Sequence, residues 1–408
     1  MNIAQSAFDA LNTTDPRPTA LVIGTGFGGL AAAIRLGAKG YRVHMLEKLD
    51  APGGRAYVYR QDGFTFDAGP TIVTAPFLLE ELWALCGKTF ADDVDLRPMD
   101  PFFRLHFDDG RIFDYCGDKA RNIAQIKTFS EDDAEGYERY LKASEERYKV
   151  GFEGLVDKPF DSLNALFQFL PQLIKLRSDR SVYRLVSRYI QDPQLRMTMS
   201  FHPLLIGGNP FSVTSVYTLI SYLEQRFGVW SAMGGTGSIV KGMASLIEGQ
   251  GGRIECNAEV DEILVEQGAV RGVRLADGRE LLSDLVVSNA DAAWTYRHLI
   301  PAEHRKRWTD RKIERSHYSN GLFVWYFGTR GKYPDVPHHS VIMGPRYQGL
   351  LDDIFKRKVL AEDFSLYLHR PTETDPSMAP EGCDAFYALV PVPHLDADVD
   401  WHSYGETF

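Results

Sequence analysis

The stretch from Leu21 to Glu47, LVIGTGFGGLAAAIRLGAKGYRVHMLE, decides the fold of this chain. It opens with a short apolar run and continues through a glycine turn into an alanine-rich segment. A second apolar run then closes on an acid. Short apolar runs bounded by turn signals predict buried parallel strands, and the segment between them predicts a helix. The stretch therefore predicts the strand–helix–strand unit of a dinucleotide-binding sheet.

The glycine turn has the spacing G-x-G-x-x-G, and each glycine has a physical reason. Gly24 permits the tight bend, Gly26 lets the backbone approach a pyrophosphate, and Gly29 lets the helix pack close to the sheet. The free amides and partial positive charge of the helix N-terminus favour phosphate at this point. Glu47 follows at the offset typical of an acid that hydrogen-bonds ribose hydroxyls. The alternative is a glycine turn that serves packing alone.

Length and charge narrow the classes of function. A chain of 408 residues suggests two or three domains, at roughly 150 residues each. The net charge of −10 argues against a nucleic-acid partner, because phosphate binding needs a basic surface. We find neither a signal peptide nor an apolar run long enough for a transmembrane helix. These features predict a cytoplasmic protein, which leaves contact with a membrane surface open.

The cysteines and histidines show no spacing typical of a metal site. The four cysteines lie far apart in the sequence, and we interpret them as free thiols in a reducing compartment. His338 and His339 are adjacent in a loop-like stretch, and we interpret them as structural. No metal is therefore expected.

A second glycine-rich turn, Pro52-Gly53-Gly54-Arg55, follows the acid, and a third stretch ends at Gly69-Pro70. A nicotinamide-binding unit does not need the second turn at this point, whereas two adjacent glycines beside an arginine suit a site wrapped around a flavin dinucleotide. Arg55 is suited to pair with phosphate in a bidentate way. The alternative is an ordinary surface loop.

These motifs together resemble a known family. GTGFGGL, PGGRAYVY and GFTFDAGPT are similar to the FAD-dependent amine-oxidase-like superfamily, and within it to the bacterial phytoene desaturases of carotenoid synthesis. Later stretches that resemble the same subfamily are FHPLLIGGNPF (201–211), GVWSAMGGTG (228–237), SNAD (288–291), GPRY (344–347) and AEDFSLYLH (361–369).

The resemblance implies an α/β fold: a Rossmann-like FAD-binding domain with an inserted β-sheet substrate domain and a helical lid or membrane-contact region. The expected divisions are a mobile leader (1–19), a discontinuous FAD-binding domain (20–96 and 228–304), a substrate domain (97–128 and 305–408) and a helical region (129–227). Turn signals at Gly268 and Asp277-Gly278 predict a β meander, followed by a parallel strand over 285–288.

The resemblance also implies the cofactor, FAD, and its contacts. The backbone of Val260 is expected near the adenine, and the catalytic base is not singled out by any spacing. The full set of expected FAD-binding residues is Gly24, Gly26, Phe27, Gly28, Gly29, Glu47, Gly53, Gly54, Arg55, Gly69, Pro70, Val260 and Asn289.

The implied activity is desaturation of a long apolar polyene, 15-cis-phytoene, to lycopene or a less desaturated carotene, with oxygen or a quinone as electron acceptor. One alternative is another FAD oxidoreductase of the superfamily, such as an amine oxidase, a protoporphyrinogen oxidase, a carotenoid isomerase or a diapophytoene-type desaturase. A second is a nicotinamide dehydrogenase. A third is an inactive flavoprotein fragment, because the family's later glycine- and proline-rich motif has no copy before Phe408. That reading expects weaker flavin binding and an apolar face that favours a homo-oligomer.

The helical region contains a candidate membrane contact. Tyr137 and Tyr140 recur at helical spacing, and an apolar stretch spans Phe160 to Leu176. Five cations lie in or just after the end of that stretch: Lys175, Arg177, Arg180, Arg184 and Arg188. An apolar face beside a basic cluster is typical of a helix on an anionic bilayer, which predicts peripheral membrane association. The alternative is a helical lid with a solvated basic face.

Aromatic residues recur in the strands predicted for the substrate domain, and we expect them to wall an apolar cavity unless they serve as core. They are Phe323, Trp325, Tyr326, Phe327, Phe364, Tyr367, Phe386 and Tyr387.

Overall fold

The computed structural model describes residues 15–154, 167, 170–172 and 174–405. Most of the predicted leader and much of the apolar stretch over 160–176 lie outside the described residues. The strands are β1 (Thr19–Ile23), β2 (Arg42–Leu46), β3 (Val58–Gln61), β4 (Phe64–Asp67), β5 (Leu96–Pro98), β6 (Phe103–His106), β7 (Ile112–Tyr115), β8 (Trp230–Ala232), β9 (Arg253–Glu255), β10 (Val260–Glu266), β11 (Ala269–Leu275), β12 (Glu280–Leu282), β13 (Leu285–Ser288), β14 (Gly321–Arg330), β15 (His339–Ile342), β16 (Leu366–His369) and β17 (Cys383–Val392).

The α-helices alternate with these strands in the first part of the chain and cluster in the middle. They span Phe27–Ala38, Pro76–Leu85, Phe90–Asp93, Lys119–Phe129, Asp133–Tyr148, Val182–Val186, Pro193–Ser200, Leu219–Phe227, Thr236–Gly249, Ala292–Trp294, Asp310–Glu314, Tyr347–Asp352 and Trp401–Tyr404. We call Phe27–Ala38 the glycine helix.

The first sheet is parallel and has the strand order β13-β1-β2-β9. Successive residues of β1 point to opposite faces, and both faces are buried. Ala20 and Val22 pack against the glycine helix, whereas Leu21 and Ile23 pack against the meander of β10, β11 and β12. A parallel strand covered on both faces needs apolar residues throughout, which explains the uninterrupted apolar run in the sequence.

The predicted β meander and the strand after it are confirmed. β10, β11 and β12 form an antiparallel sheet, and β13 then joins the first sheet beside β1. Gly268 and Gly278 lie in the two turns with φ of +80° and +88°, a region that favours glycine.

The largest sheet has six strands in the order β14-β17-β16-β15-β6-β7. All its neighbours are antiparallel except β15 and β6, which pair in parallel although they are far apart in the chain. Buried residues of β6 and β7 form one core with the helical region, in which Tyr137 and Tyr140 are both fully buried. The helix predicted from the spacing of these two tyrosines is therefore confirmed, and both lie on the buried face of the helix Asp133–Tyr148.

Within the described part of the chain, none of the helices has the length and apolar character needed to cross a membrane.

Candidate functional site

The glycine turn leaves no room for a side chain where the glycine helix begins. Gly24 has φ of +86°, in the left-handed region. A Cβ on Gly29 would lie 2.1 Å from the carbonyl oxygen of Gly24, well inside any contact distance. The helix therefore packs directly onto the turn that precedes it, as the sequence predicts for the third glycine.

The N-terminus of the glycine helix is open to an external acceptor. Its N-cap is Gly26, and no side chain in the described chain caps it. Phe27 is half-buried and Gly28 is exposed at the first turn. The first amides of a helix have no partner inside the helix, so this end can bind an anion.

Three glycine stretches that are distant in sequence meet at this point. The Gly53 amide donates to the carbonyl and hydroxyl oxygens of Thr25, at 3.1 and 3.2 Å. A Cβ on Gly54 would lie 3.2 Å from the Cα of Gly26, and one on Gly69 would lie 2.1 Å from the carbonyl oxygen of Arg55. We call the backbone of Gly24–Gly29, Gly53–Arg55 and Gly69 the glycine nest. Its backbone amides suit a pyrophosphate, and a Cβ on Gly29, Gly54 or Gly69 would push these backbone segments apart.

Arg55 adds a positive charge to the rim of the glycine nest. Its side chain is exposed, and it forms no ion pair with any residue that the structure describes. Pro70, also exposed, follows the nest on the other side. The arrangement suits recognition of a phosphate, although the contacts predicted for both residues stay predictions.

Glu47 is buried beneath the turn, with 4% of its surface exposed. One carboxylate oxygen accepts hydrogen bonds from the Thr25 amide at 2.9 Å and the Thr25 hydroxyl at 2.5 Å. The other accepts from the Leu49 amide at 3.0 Å. An ionised carboxylate can accept about four hydrogen bonds, so capacity for a ribose hydroxyl remains. Glu47 thus supports the turn, and its contact with ribose stays a prediction.

The two remaining predicted contacts are Val260 and Asn289. Val260 begins β10 and packs in the same core as Ile23 and Leu46. The Asn289 amide donates to the Ile23 carbonyl at 2.8 Å, and its side chain lies over Gly28, 2.6 Å from where a Cβ would be. Both residues border the first sheet at its carboxyl edge, where ligands of such sheets bind.

Two buried acids that the sequence did not single out hold the turn over Gly234 and Gly235. Asp67 accepts from the Thr236 amide at 3.0 Å, and its other oxygen has no partner among the described residues. Asp375 accepts from the Gly234 amide at 2.6 Å. Burial raises the pKa of the Asp67 carboxyl above its ordinary value. For Asp67, the sequence signal that could have found it is a carboxylate at the end of the largely apolar strand β4.

The face of the six-stranded sheet turned toward this site carries a row of rings. Tyr326, Tyr387, His369 and His339 are directly opposed on β14, β17, β16 and β15. The Tyr326 hydroxyl donates to the carbonyl of Ala68 at 2.8 Å, next to Gly69 of the glycine nest. The sheet is therefore joined to the nest by a polar contact.

The predicted aromatic residues are divided between different surroundings. Phe386 and Tyr387 are buried, whereas Trp325 is 62% exposed and Phe364 is 38% exposed. Adjacent residues of a strand point to opposite faces, so neighbours such as Trp325 and Tyr326 cannot line the same wall. The expectation of one common wall thus fails for these neighbours, and the buried pair belongs to the core.

A parallel sheet that ends in a glycine nest at a helix N-terminus is typical of a dinucleotide-binding domain. The family model for flavin-containing amine oxidoreductases matches residues 27–382, so the chain belongs to that family. The prediction of an FAD-dependent oxidoreductase with this α/β fold is confirmed, and a nicotinamide dehydrogenase is set aside.

Curated relatives match nearly the whole chain. A neurosporene-forming phytoene desaturase from Cereibacter sphaeroides is 52% identical over 95% of this chain and 76% of its own length. A lycopene-forming phytoene desaturase from Pseudescherichia vulneris is 49% identical over 94% of this chain and 78% of its own length.

Solved structures share the fold at low identity. An oxidoreductase from Methanosarcina mazei superposes with a TM-score of 0.66 at 19% identity, covering 95% of this chain and 81% of that structure. A triple mutant of putrescine oxidase superposes with a TM-score of 0.60 at 13% identity, covering 95% and 78%. These likenesses concern the fold alone.

Proposed function

We propose that this chain uses FAD to desaturate 15-cis-phytoene, forming lycopene or a less desaturated carotene. The observation that carries the proposal is the 47–52% identity to five phytoene desaturases, over at least 94% of the chain. These relatives form neurosporene or lycopene, so the proposal covers more than one number of desaturation steps.

Each desaturation removes two hydrogens from adjacent carbons, and a carbon–carbon double bond forms between them. One hydrogen leaves with its electron pair as a hydride and the other leaves as a proton. Bound FAD supplies the hydride acceptor, and oxygen or a quinone would finally take up the two electrons. The chain's own part is to hold the cofactor and to present the polyene in an apolar environment.

The residues proposed to hold FAD are those of the glycine nest and its surroundings. The amides at the start of the glycine helix would bind the pyrophosphate, and Arg55 would pair with it from the rim. Glu47 would position the turn and offer its remaining acceptor capacity to the ribose. The backbone of Val260 would lie near the adenine, and Asn289 would contact the cofactor beside Gly28. The support for these roles is the close approach of three glycine stretches at one point.

The test of this function is expression in cells that accumulate phytoene, followed by extraction and chromatography of the pigments. We expect carotenes with longer conjugated systems than phytoene. A variant with Arg55→Ala should lower the yield, and Arg97→Ala is the matched control because Arg97 is also exposed but pairs with Asp95. Unchanged phytoene in cells that contain the folded, flavin-loaded chain would contradict the proposal.

We also propose that the helical region contacts the membrane in which such a substrate dissolves. Phe167, Leu170 and Ile174 are helical residues at three- and four-residue spacing, and they are 62%, 39% and 63% exposed. Side chains with this spacing share one face of a helix. An exposed apolar face of this kind costs free energy in water and is typical of a membrane-surface helix.

Cations lie beside this apolar face. A cavity of about 170 Å³ has five cations and one acid, Glu146, in its lining; the cations are Lys175, Arg177, Arg180, Arg188 and the buried Arg147. The Arg147 guanidinium donates to the carbonyls of Ala143 and Leu176, and it forms no ion pair among the described residues. A positive cavity next to an apolar helix face supports contact with anionic headgroups.

Co-sedimentation with vesicles tests this contact. The double variant Phe167→Glu, Ile174→Glu should bind anionic vesicles at least about tenfold more weakly, because both charges would enter the apolar boundary. Leu395→Glu is the matched control, since Leu395 is an exposed leucine (80%) outside the helical region. Equal binding by the double variant and the wild type would refute the contact without touching the proposed reaction.

A further inference from the structure

Three histidines of the six-stranded sheet form a buried cluster. His339 begins β15 and His338 directly precedes it, and His369 ends β16 directly opposite His339. Their exposed fractions are 4%, 0% and 2%. Each offers one ring nitrogen, and these three nitrogens lie within 4.8 Å of one another. The cluster takes no part in the glycine nest or in the proposed desaturation.

The nitrogen spacing suits a small tetrahedral metal ion. The Nε2 atoms of His369 and His338 are 3.0 Å apart. Two imidazole nitrogens bound to one zinc ion at about 2.0–2.1 Å would be roughly 3.3 Å apart in a tetrahedral site. The separation of these two nitrogens is therefore close to that of a zinc site, and the third nitrogen lies within 4.8 Å of both.

The opposite nitrogens of two of these rings already have partners. His338 Nδ1 lies 2.6 Å from the Thr374 hydroxyl, and His339 Nδ1 lies 2.5 Å from the Tyr367 hydroxyl. Metal-binding histidines usually donate their second N–H to such an oxygen, which fixes the ring so that the other nitrogen faces the metal. These two contacts are therefore the support that a metal site needs.

Two ring nitrogens in the cluster lack partners. His339 Nε2 and His369 Nδ1 are buried and have no hydrogen-bond partner among the described residues. Buried polar atoms are rarely left unpaired, so each one needs an explanation. A cation bound by Nε2 of His339 would give this nitrogen a partner. The same cation would replace the close contact between the rings of His338 and His369.

The surrounding charges permit a cation. Arg370 follows His369, and its amide donates to the His338 carbonyl at 2.9 Å. Its guanidinium, however, is paired with the buried Asp384 and with Glu373. The nearest fixed positive charge is therefore largely neutralised by acids.

We propose that His338, His339 and His369 bind a divalent transition-metal ion, with Zn²⁺ as the best fit and a water molecule as the fourth ligand. Imidazole ligands suit zinc and its neighbours in the first transition series, whereas magnesium and calcium prefer oxygen. The ion would join β15 to β16 at the histidine end of the row of rings. The sequence hides this site because its third ligand comes from the neighbouring strand.

The test is the metal content of the whole purified chain. Protein expressed in zinc-supplemented medium and freed of loose metal by gel filtration should contain close to one zinc per chain. His369→Gln should contain less than about a tenth of that. His317→Gln is the matched control, because His317 is exposed and lies outside the cluster, and its zinc content should equal that of the wild type.

Two further measurements test the proposal even if His369→Gln does not fold. Tyr367→Phe keeps all three ligands but removes the contact to His339, and it should weaken zinc binding by about 10- to 100-fold. Cobalt added to the metal-free wild type should give the intense visible bands of a four-coordinate ion. A wild type that holds no zinc and shows no cobalt bands, or a folded His369→Gln that keeps its zinc, would overturn the proposal.

Discussion

Replacing Gly29 with alanine should weaken flavin binding because it opens the contact between the glycine helix and its turn. The added Cβ would lie 2.1 Å from the Gly24 carbonyl oxygen, where real Cβ contacts stay beyond 3.0 Å. The obstructing atom belongs to the backbone, so the helix and the turn must separate by roughly 1 Å. Overpacking of this kind costs about 1–3 kcal/mol. If that cost falls on the flavin-binding conformation, the Kd for FAD rises about 5- to 150-fold.

The assay is a titration of the purified chain with FAD, followed by flavin fluorescence, with a thermal melt of the flavin-free protein alongside it. Gly249→Ala is the control: Gly249 ends the helix Thr236–Gly249, and a Cβ there meets nothing within 4 Å. The control should bind FAD like the wild type. A Gly29→Ala variant that binds FAD within twofold of the wild type would refute the close-packing account of the nest.

Three other substitutions test separate parts of the account. Arg55→Ala should raise the Kd for FAD about tenfold. It should leave the melting temperature of the flavin-free chain unchanged, because the exposed Arg55 side chain has no ion pair among the described residues. An unchanged Kd would show that Arg55 is not part of the FAD site. The hydrogen bond from His44 lowers the pKa of Glu255 to about 2 from an ordinary 4.5. The stabilising contribution of the Glu255 carboxylate is thus complete above pH 4.5 and lost as the pH falls toward 2. In urea titrations, Glu255→Gln should remove this acid-dependent loss of about 3 kcal/mol in unfolding free energy. Phe103→Ala should cost about 3–5 kcal/mol of unfolding free energy, because Phe103 is fully buried in the core beneath the helical region; a loss below 1 kcal/mol would contradict that packing.

Local signals in the sequence predict the nucleotide-binding half of the fold. Gly24 and Gly29 are required by contacts within a segment of six residues. The uninterrupted apolar run of β1 indicates that both faces of this strand are covered. The meander is equally local, since its turns are fixed by Gly268 and Gly278. Features of this kind depend on backbone conformation and periodicity, which a sequence shows directly.

The substrate-side features depend on strand register, which the sequence does not show. β15 joins β6 in parallel across most of the chain, and this pairing has no local signal. The histidine cluster exists because His369 lies opposite His339, so the adjacent pair alone indicates nothing of the third ring. The contact between Asp67 and the turn at Gly235 likewise joins residues that are far apart in the sequence. The positions of Trp325 and Tyr326 also depend on the strand, because neighbouring side chains of a strand point to opposite faces of the sheet.

The most direct test of the proposed reaction is anaerobic mixing of the FAD-loaded chain with vesicles that carry phytoene. The account predicts that the visible absorbance of oxidised flavin is lost while a carotene with a longer conjugated system appears, one new double bond for each flavin reduced. Flavin that stays oxidised with phytoene but is bleached by a primary amine would contradict the account.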